Sequence, residues 1–235
     1  MSWHIVQDQA YHLFADGRSL LGIENAVNTL SSVAFLIAGA LGLSFLWRER
    51  AAGESGRFAA PEEMRAYWIL FGAIALTAFG SAYYHLAPND ARLVWDRLPM
   101  SLGFMALLSA TIADRISIKA GSRLLVPLLL AGAGSVLYWR WSGLRGAENL
   151  LLYAVVQYGS IAAVLAIVIL FRSRYTHGAY IFGVLALYAA AKAAEVLDAQ
   201  IYALGRIVSG QTLKHLLAAL AVCWLLRMLQ LRRSQ

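Results

Sequence analysis

The stretch Gly80–Met100, GSAYYHLAPNDARLVWDRLPM, decides how this chain is read. It begins as the end of one apolar helix and finishes as the start of the next. Between them lie Ser81, His85, Asp90, Asp96 and Arg97. Ionisable groups so close to membrane depth are costly to bury and mark working sites. Ser81 and His85 are four residues apart and share one helix face. Asp96 is expected to open the following helix, with Pro99 in its first turn, where a missing N–H costs nothing. A hydroxyl, an imidazole and a carboxylate are thereby gathered at one mouth of a helical bundle.

The composition outside this stretch says what kind of bundle. Apolar residues make up 60% of the 235 and charged residues 14%, whereas a soluble domain is about half apolar and about a quarter charged. Mean hydropathy is +0.61. Several apolar runs approach the ~20 residues that cross a bilayer. The fold class expected is all-α, a polytopic membrane protein forming one domain over residues 1–235. The net charge of +7 does not indicate a nucleic-acid partner, because the basic residues sit in short clusters at helix ends rather than in a stripe with interleaved aromatics. A single cysteine, Cys223, excludes an internal disulfide and Cys-rich zinc motifs. The N-terminus lacks a basic segment followed by an apolar core, so the first helix is expected to direct insertion.

Taken in order, residues 1–22 read as an interfacial segment carrying Trp3, His4, Tyr11, His12 and Phe14. Seven transmembrane helices follow, over about 24–47, 67–85, 96–113, 124–139, 150–171, 179–197 and 212–231, with six as the alternative count because the third and fourth are short. Arg48, Arg50, Arg57, Arg65, Arg115, Lys119, Arg123, Arg172, Arg174, Arg232 and Arg233 fall on one side and a smaller set on the other. The positive-inside rule then puts the C-terminus in the cytoplasm and the N-terminus outside. That topology brings Glu24, Asn28, Ser81, His85, Asp96, Glu195, Asp198, Gln211 and His215 to the outer face. It leaves His177 on the other.

Each motif has a plainer reading beside the functional one. Ser81 and His85 can be packing. Asp96 can be a helix N-cap. Glu24, Asn28 and Ser31 recur at helical spacing and can pin the first helix to the bundle. Lys192 and Glu195 are three apart and can pair. Gln211 and His215 share a face at the i, i+4 spacing that suits a metal when both are His. Lys214 is expected to point elsewhere, toward the interface. Ala38, Gly39, Gly42, Gly72, Gly80, Gly103 and Gly183 read as close helix packing.

Together these blocks resemble the alkaline ceramidases, in a bacterial branch. They belong to the seven-helix membrane hydrolase superfamily that includes the adiponectin-receptor-like proteins. The resemblance rests on the Asn-Thr-x-Ser start of the first helix, Ser81-x3-His85, Asp96-x-Leu98-Pro99-Met100 and His215 opening the last helix. It spans about Phe14 to Leu220. It implies a zinc ion held by three histidines, of which His85 and His215 match two, while Gln211 stands at the position of the third. Ser81 and Asp96 match the neighbouring catalytic pair. Glu24 matches one member of a calcium-binding acidic cluster whose remaining pattern this chain lacks. The resemblance further implies hydrolysis of the amide bond of ceramide-like N-acyl lipids to a fatty acid and a sphingoid-type amine. The expected partner is a membrane lipid, and the expected location is a bacterial inner membrane with the site on the periplasmic side. Gln211 keeps open a metal-weakened or non-enzymatic relative. A transporter is the remaining reading, disfavoured by the absence of inverted repeats, and His85 with His215 also admit an electron carrier.

Overall fold

The computed structural model describes residues 4–53 and 56–235. Trp3, one of the expected interfacial anchors, lies outside the described residues. Among the described residues the helices are joined by turns and loops, and the only β structure is two isolated bridges. The first rod is α1 (Ala26–Ser31) continued by α2 (Val33–Ala52), followed by α3 (Glu63–Leu86), α4 (Asp90–Arg115) and α5 (Ile118–Leu144). The next rod joins α6 (Leu151–Ala154) through a π-turn at Val155–Gly159 to α7 (Ser160–Leu170). Then come α8 (Tyr180–Val196), α9 (Asp198–Gly205) and α10 (Gly210–Leu231). Five of these rods are long and apolar enough to cross a membrane, or six if α8 and α9, bent by 76° at Leu197, are one span. The rod that fails on composition is α4. Asp90, Arg92, Asp96 and Arg97 crowd its first two turns.

The expected third and fourth helices are both longer than their apolar runs. The Asn89 side chain accepts the backbone N–H of Arg92 at 3.0 Å, so α4 starts two turns ahead of Asp96. Asp96 is therefore not an N-cap, and Pro99 lies inside the helix rather than in its first turn. Likewise Ser117 caps α5 through the N–H of Ala120, which takes Lys119 and Arg123 out of the expected basic turn and into the helix. Asp198 and the residues after it form α9 where a loop was expected.

An interior proline removes the N–H that would bond the carbonyl four residues back, here that of Trp95. Gly80 of α3 is seated against that carbonyl: a Cβ at position 80 would overlap the oxygen and carbon of Trp95 and lie 3.1 Å from the Asp96 nitrogen. Backbone of α3 thus packs directly on backbone of α4 at the level of Ser81 and Asp96. Gly39 and Gly42 bring α2 onto α3 around Phe71, and Gly183 receives Trp224 of α10. These three, with Gly80, are packing glycines as expected. Gly72 faces open space.

Two of the three buried apolar clusters mark the two ends of the bundle. The larger, built on Leu46, Phe71, Val164 and Leu229, ties α2, α3, α7 and α10 at the end away from His85. The smaller, built on Tyr84, Leu93, Val136, Trp139 and Tyr153, lies at the other end under the N-terminal segment. That segment is not simply an interfacial anchor. Tyr11 and Phe14 turn inward and pack on the smaller core. It forms a strap across the end of the bundle, held by Leu150 N–H on the Ile5 carbonyl and by Ala15 N–H on Asp198.

Replacing Gly80 with Ala should separate α3 from α4 and lower stability by about 1–3 kcal/mol, the usual range for overpacking a filled site. A fall in the unfolding midpoint of detergent-purified Gly80→Ala, with Gly72→Ala near wild type, checks this.

Candidate functional site

The site forms where α3, α4 and α10 meet under the strap. His85 sits in the last turn of α3 and Ser81 one turn earlier, both buried. His215 and Gln211 occupy the first two turns of α10, also buried. Their rotation is set by a clamp from α1. Asn28 Oδ1 accepts both Ser209 Oγ at 3.0 Å and Thr212 Oγ1 at 2.8 Å. Ser209 is the N-cap of α10, and Asp198 Oδ1 accepts the N–H of Gln211 at 2.7 Å. Asn28 Nδ2 also donates to the Asp16 carbonyl at 3.2 Å. The interhelical role expected for Asn28 is therefore the observed one. Asp198 acts beside the site rather than in it.

The two imidazoles face each other with Nε2 atoms 3.3 Å apart, and the Gln211 side-chain amide lies 3.2 Å from one and 3.4 Å from the other. Ser31 Oγ donates to the Asn28 carbonyl, so its lone pair faces His215 Nδ1 at 2.7 Å. This assigns the His215 proton to Nδ1 and leaves Nε2 bare. Tetrahedral zinc with ligands at about 2.0–2.1 Å separates its donors by about 3.3–3.4 Å, which matches the three spacings here. Turning the Gln211 amide, whose two ends are assigned rather than observed, directs its oxygen to the same point. The residues fit a divalent cation held by two imidazole nitrogens and one neutral amide oxygen. This is a weaker donor set than three imidazoles. His215 has an orienting partner in Ser31, whereas His85 Nδ1 is buried without one. Among the described residues no group of three or more His, Cys, Asp or Glu is placed to hold a metal.

Ser81 receives a hydrogen bond from Ser32 at 3.1 Å and lines the same cavity as Asp96. Asp96 is buried on α4. Both line a cavity of about 400 Å³, as does His215. Going away from the site the walls become apolar, through Leu70 and Ile74 of α3, Phe104 and Leu107 of α4 and Ala221 and Leu225 of α10. From His215 to Leu225 this is about 15 Å of helix at 1.5 Å per residue.

Several side chains differ from their expected places. Lys214 does not point to the interface. Its ammonium is buried on the cavity wall and pairs with Glu195 at 2.8 Å. Lys192 pairs with the same carboxylate, as its spacing suggested, and Tyr11 donates to it at 2.9 Å. Glu24 is exposed and offers only its backbone carbonyl, to Thr29, among the contacts described. Among the described residues no acidic cluster that could hold a metal forms around it. His177 lies at the opposite end of the bundle, beside Thr176 and Tyr180. The strap supplies residues that the sequence did not single out for the site. Phe14 packs on the His85 ring at 4.6 Å between centroids, and His12 bridges Tyr84 and Asp90.

No model of a known protein family matches the chain, and comparison with curated proteins finds no relative. The site is therefore argued from its own geometry.

Two expectations follow. If Gln211 is the weak ligand, detergent-purified Gln211→His should hold close to one zinc per chain by elemental analysis and wild type less; equal and negligible zinc in both would reject the metal site. The second concerns the strap, where Asp16 accepts Nε and Nη2 of Arg18 at 2.8 and 2.7 Å. These bonds hold its carboxyl below the usual range. A lowered folded value stabilises above the unfolded pKa of about 3.9 and is lost as pH falls through the folded one. Protease cleavage of the strap should rise below about pH 4, and Asp16→Asn should abolish that dependence.

Proposed function

We propose that this chain is an integral-membrane, zinc-dependent hydrolase that cleaves the amide bond of ceramide-like N-acyl lipids. The observation that carries this reading is that Ser81, Asp96 and His215 line one cavity with a long apolar wall, while His85 and Gln211 lie against His215. In this reading the chain crosses the membrane seven times, with α4 as a span whose charged turns face the interior of the bundle. The excess of basic residues after the first, third and fifth spans supports a cytoplasmic C-terminus, with the site toward the periplasm of a bacterial inner membrane.

Zinc, when bound by His85, His215 and Gln211, would supply Lewis-acid chemistry, polarising a carbonyl and acidifying water. The other parts belong to the chain. The apolar walls take the acyl tail and fix the carbonyl at the polar end, which converts a two-body encounter into a positioned one. Ser81 donates its hydroxyl to the carbonyl oxygen as negative charge builds there. Asp96 takes a proton from the attacking water as the C–O bond forms. It then gives that proton to the nitrogen as the C–N bond breaks, so the products are a carboxylic acid and an amine. The strap, through Phe14 and Tyr11, excludes bulk water from above.

The replacement of a third imidazole by Gln211 favours one second reading, a lipid-binding relative with weakened or lost catalysis. The two separate on one assay. Zinc-supplemented protein in mixed micelles should release fatty acid from a fluorescent N-acyl sphingosine. Ser81→Ala and Asp96→Asn should each lower kcat by about 10²–10³-fold, the usual effect of losing an oxyanion donor or a positioned base. Saturable binding without release, in wild type and in Gln211→His, would leave the non-enzymatic reading.

A further inference from the structure

The polar end of the cavity carries more positive charge than the proposed chemistry uses. Arg97, Lys192 and Lys214 all line it. Lys192 and Lys214 share one carboxylate, Glu195. Arg97 is 5% exposed and has no carboxylate within ion-pairing distance among the described residues. One of its nitrogens donates to the Gln7 side chain, and Nη1 is buried with no hydrogen-bond partner. Its guanidinium is held instead among aromatic rings, 4.5 Å from the centroid of Trp139, 4.7 Å from Tyr153 and 5.5 Å from Tyr11. Two carboxylates, the buried Asp96 and the partly buried Glu195, line the same cavity as these three cations, and Asp8 is exposed at the rim with its carboxylate on the Ala10 N–H. A buried cation without a counter-ion is costly unless something else pairs with it.

The position of this excess defines what it would meet. The apolar walls run from Ser81 and His215 toward Leu70 and Leu225, so an acyl tail lies on that side of the reacting carbonyl. Arg97 and Lys192 line the cavity's other end, beside Gln7 and Tyr11 of the strap. That is where the amine half of an N-acyl lipid would lie. We propose that Arg97, Lys192 and Lys214 form an anion subsite, and that the substrate is an N-acyl lipid whose amine half carries a carboxylate or another anionic group. This deepens the hydrolase reading and rests on it for the placement of the two halves. A neutral ceramide headgroup would leave the guanidinium unpaired, whereas a carboxylate accepts its free N–H in a charge-assisted bond. Arg97 is thereby a specificity-determining residue, distinct from the groups that act on the carbonyl.

The test separates binding from hydrolysis. Affinity is measured by thermal-shift titration of the detergent-purified protein with three probes of equal acyl length: N-palmitoylglycine, the neutral N-palmitoylethanolamine, and palmitate. The expected result is that N-palmitoylglycine binds at least tenfold more tightly than N-palmitoylethanolamine, and that Arg97→Gln and, separately, the less buried Lys192→Gln each reduce this preference. Equal affinity for the acidic and neutral probes overturns the subsite. So does palmitate binding as tightly as N-palmitoylglycine with the same dependence on Arg97 and Lys192, since the cations would then hold a carboxylate at the acyl carbon. An unchanged preference in a folded Lys192→Gln together with a folded Arg97→Gln also overturns it. Fatty acid release is followed in parallel. Tight, selective binding of N-palmitoylglycine with no release upholds the subsite while the hydrolase reading fails. Release from the neutral probe with no acidic preference does the reverse.

Discussion

The close approach of His85 to His215 is the contact on which the functional end of this bundle depends. Two imidazoles buried in an apolar bundle do not meet at 3.3 Å by default. Each must be rotated into place by something that survives the loss of water. On α3 this is done by Gly80, which lets the helix settle on the Trp95 carbonyl that Pro99 leaves without an internal donor. On α10 it is done by the Asn28 amide, which fixes the first turn through Ser209 and Thr212. Losing either support would turn one ring away and leave a polar nitrogen unsatisfied in a dry interior, where the cost is several kcal/mol rather than the ~1 kcal/mol typical of a lost hydrogen bond at a wet surface.

The same constraint explains why the polar side chains at this end are paired with one another. A dry bundle interior offers no water to an orphaned donor. Tyr11 meets Glu195, Ser32 meets Ser81, and Asp198 meets both the strap and α10. The strap is therefore part of the solution: it supplies partners to polar groups that the helices alone leave open, and in doing so it roofs the cavity.

Much of this was legible in the sequence, and the failures have physical causes. The helices read at 67–85, 150–171, 179–197 and 212–231 lie within four residues of the observed ones because their apolar runs are continuous, whereas α5 starts six residues before the expected 124 because its first turns carry Lys119, Ser122 and Arg123. Ser81, His85, Asp96, Gln211 and His215 were grouped correctly because helix topology brings them to one end whatever the detailed packing. The start of α4 was missed because helical turns dense in charge carry no apolar run. Its polar first turns face the strap and the cavity, so they carry no hydropathy signal. Lys214 was sent to the interface because a lysine near a helix end usually snorkels. The partner that draws it inward, Glu195, lies on another helix and cannot be read from spacing. Tyr11 and Phe14 read as interfacial anchors for a similar reason: an aromatic in a short polar segment looks the same whether it faces lipid or a buried core.

The charges on the cavity wall follow from that inward turn. Glu195 with one lysine would be a neutral, self-contained pair and would ask nothing of a ligand. With two lysines around it and a guanidinium nearby that relies on aromatic faces, the wall carries positive charge that burial makes expensive. Such an arrangement is stable without a ligand only because cation–π contacts and the strap's Gln7 compensate part of that cost. An anion entering the cavity would find the groups that bind it already in place, and the energy spent on ordering them would have been met in folding. The apolar half of the same cavity is the side on which the proposed acyl tail would lie. Under the proposed function, the two halves together fit an amphiphile with its charge on the far side of the amide from its tail.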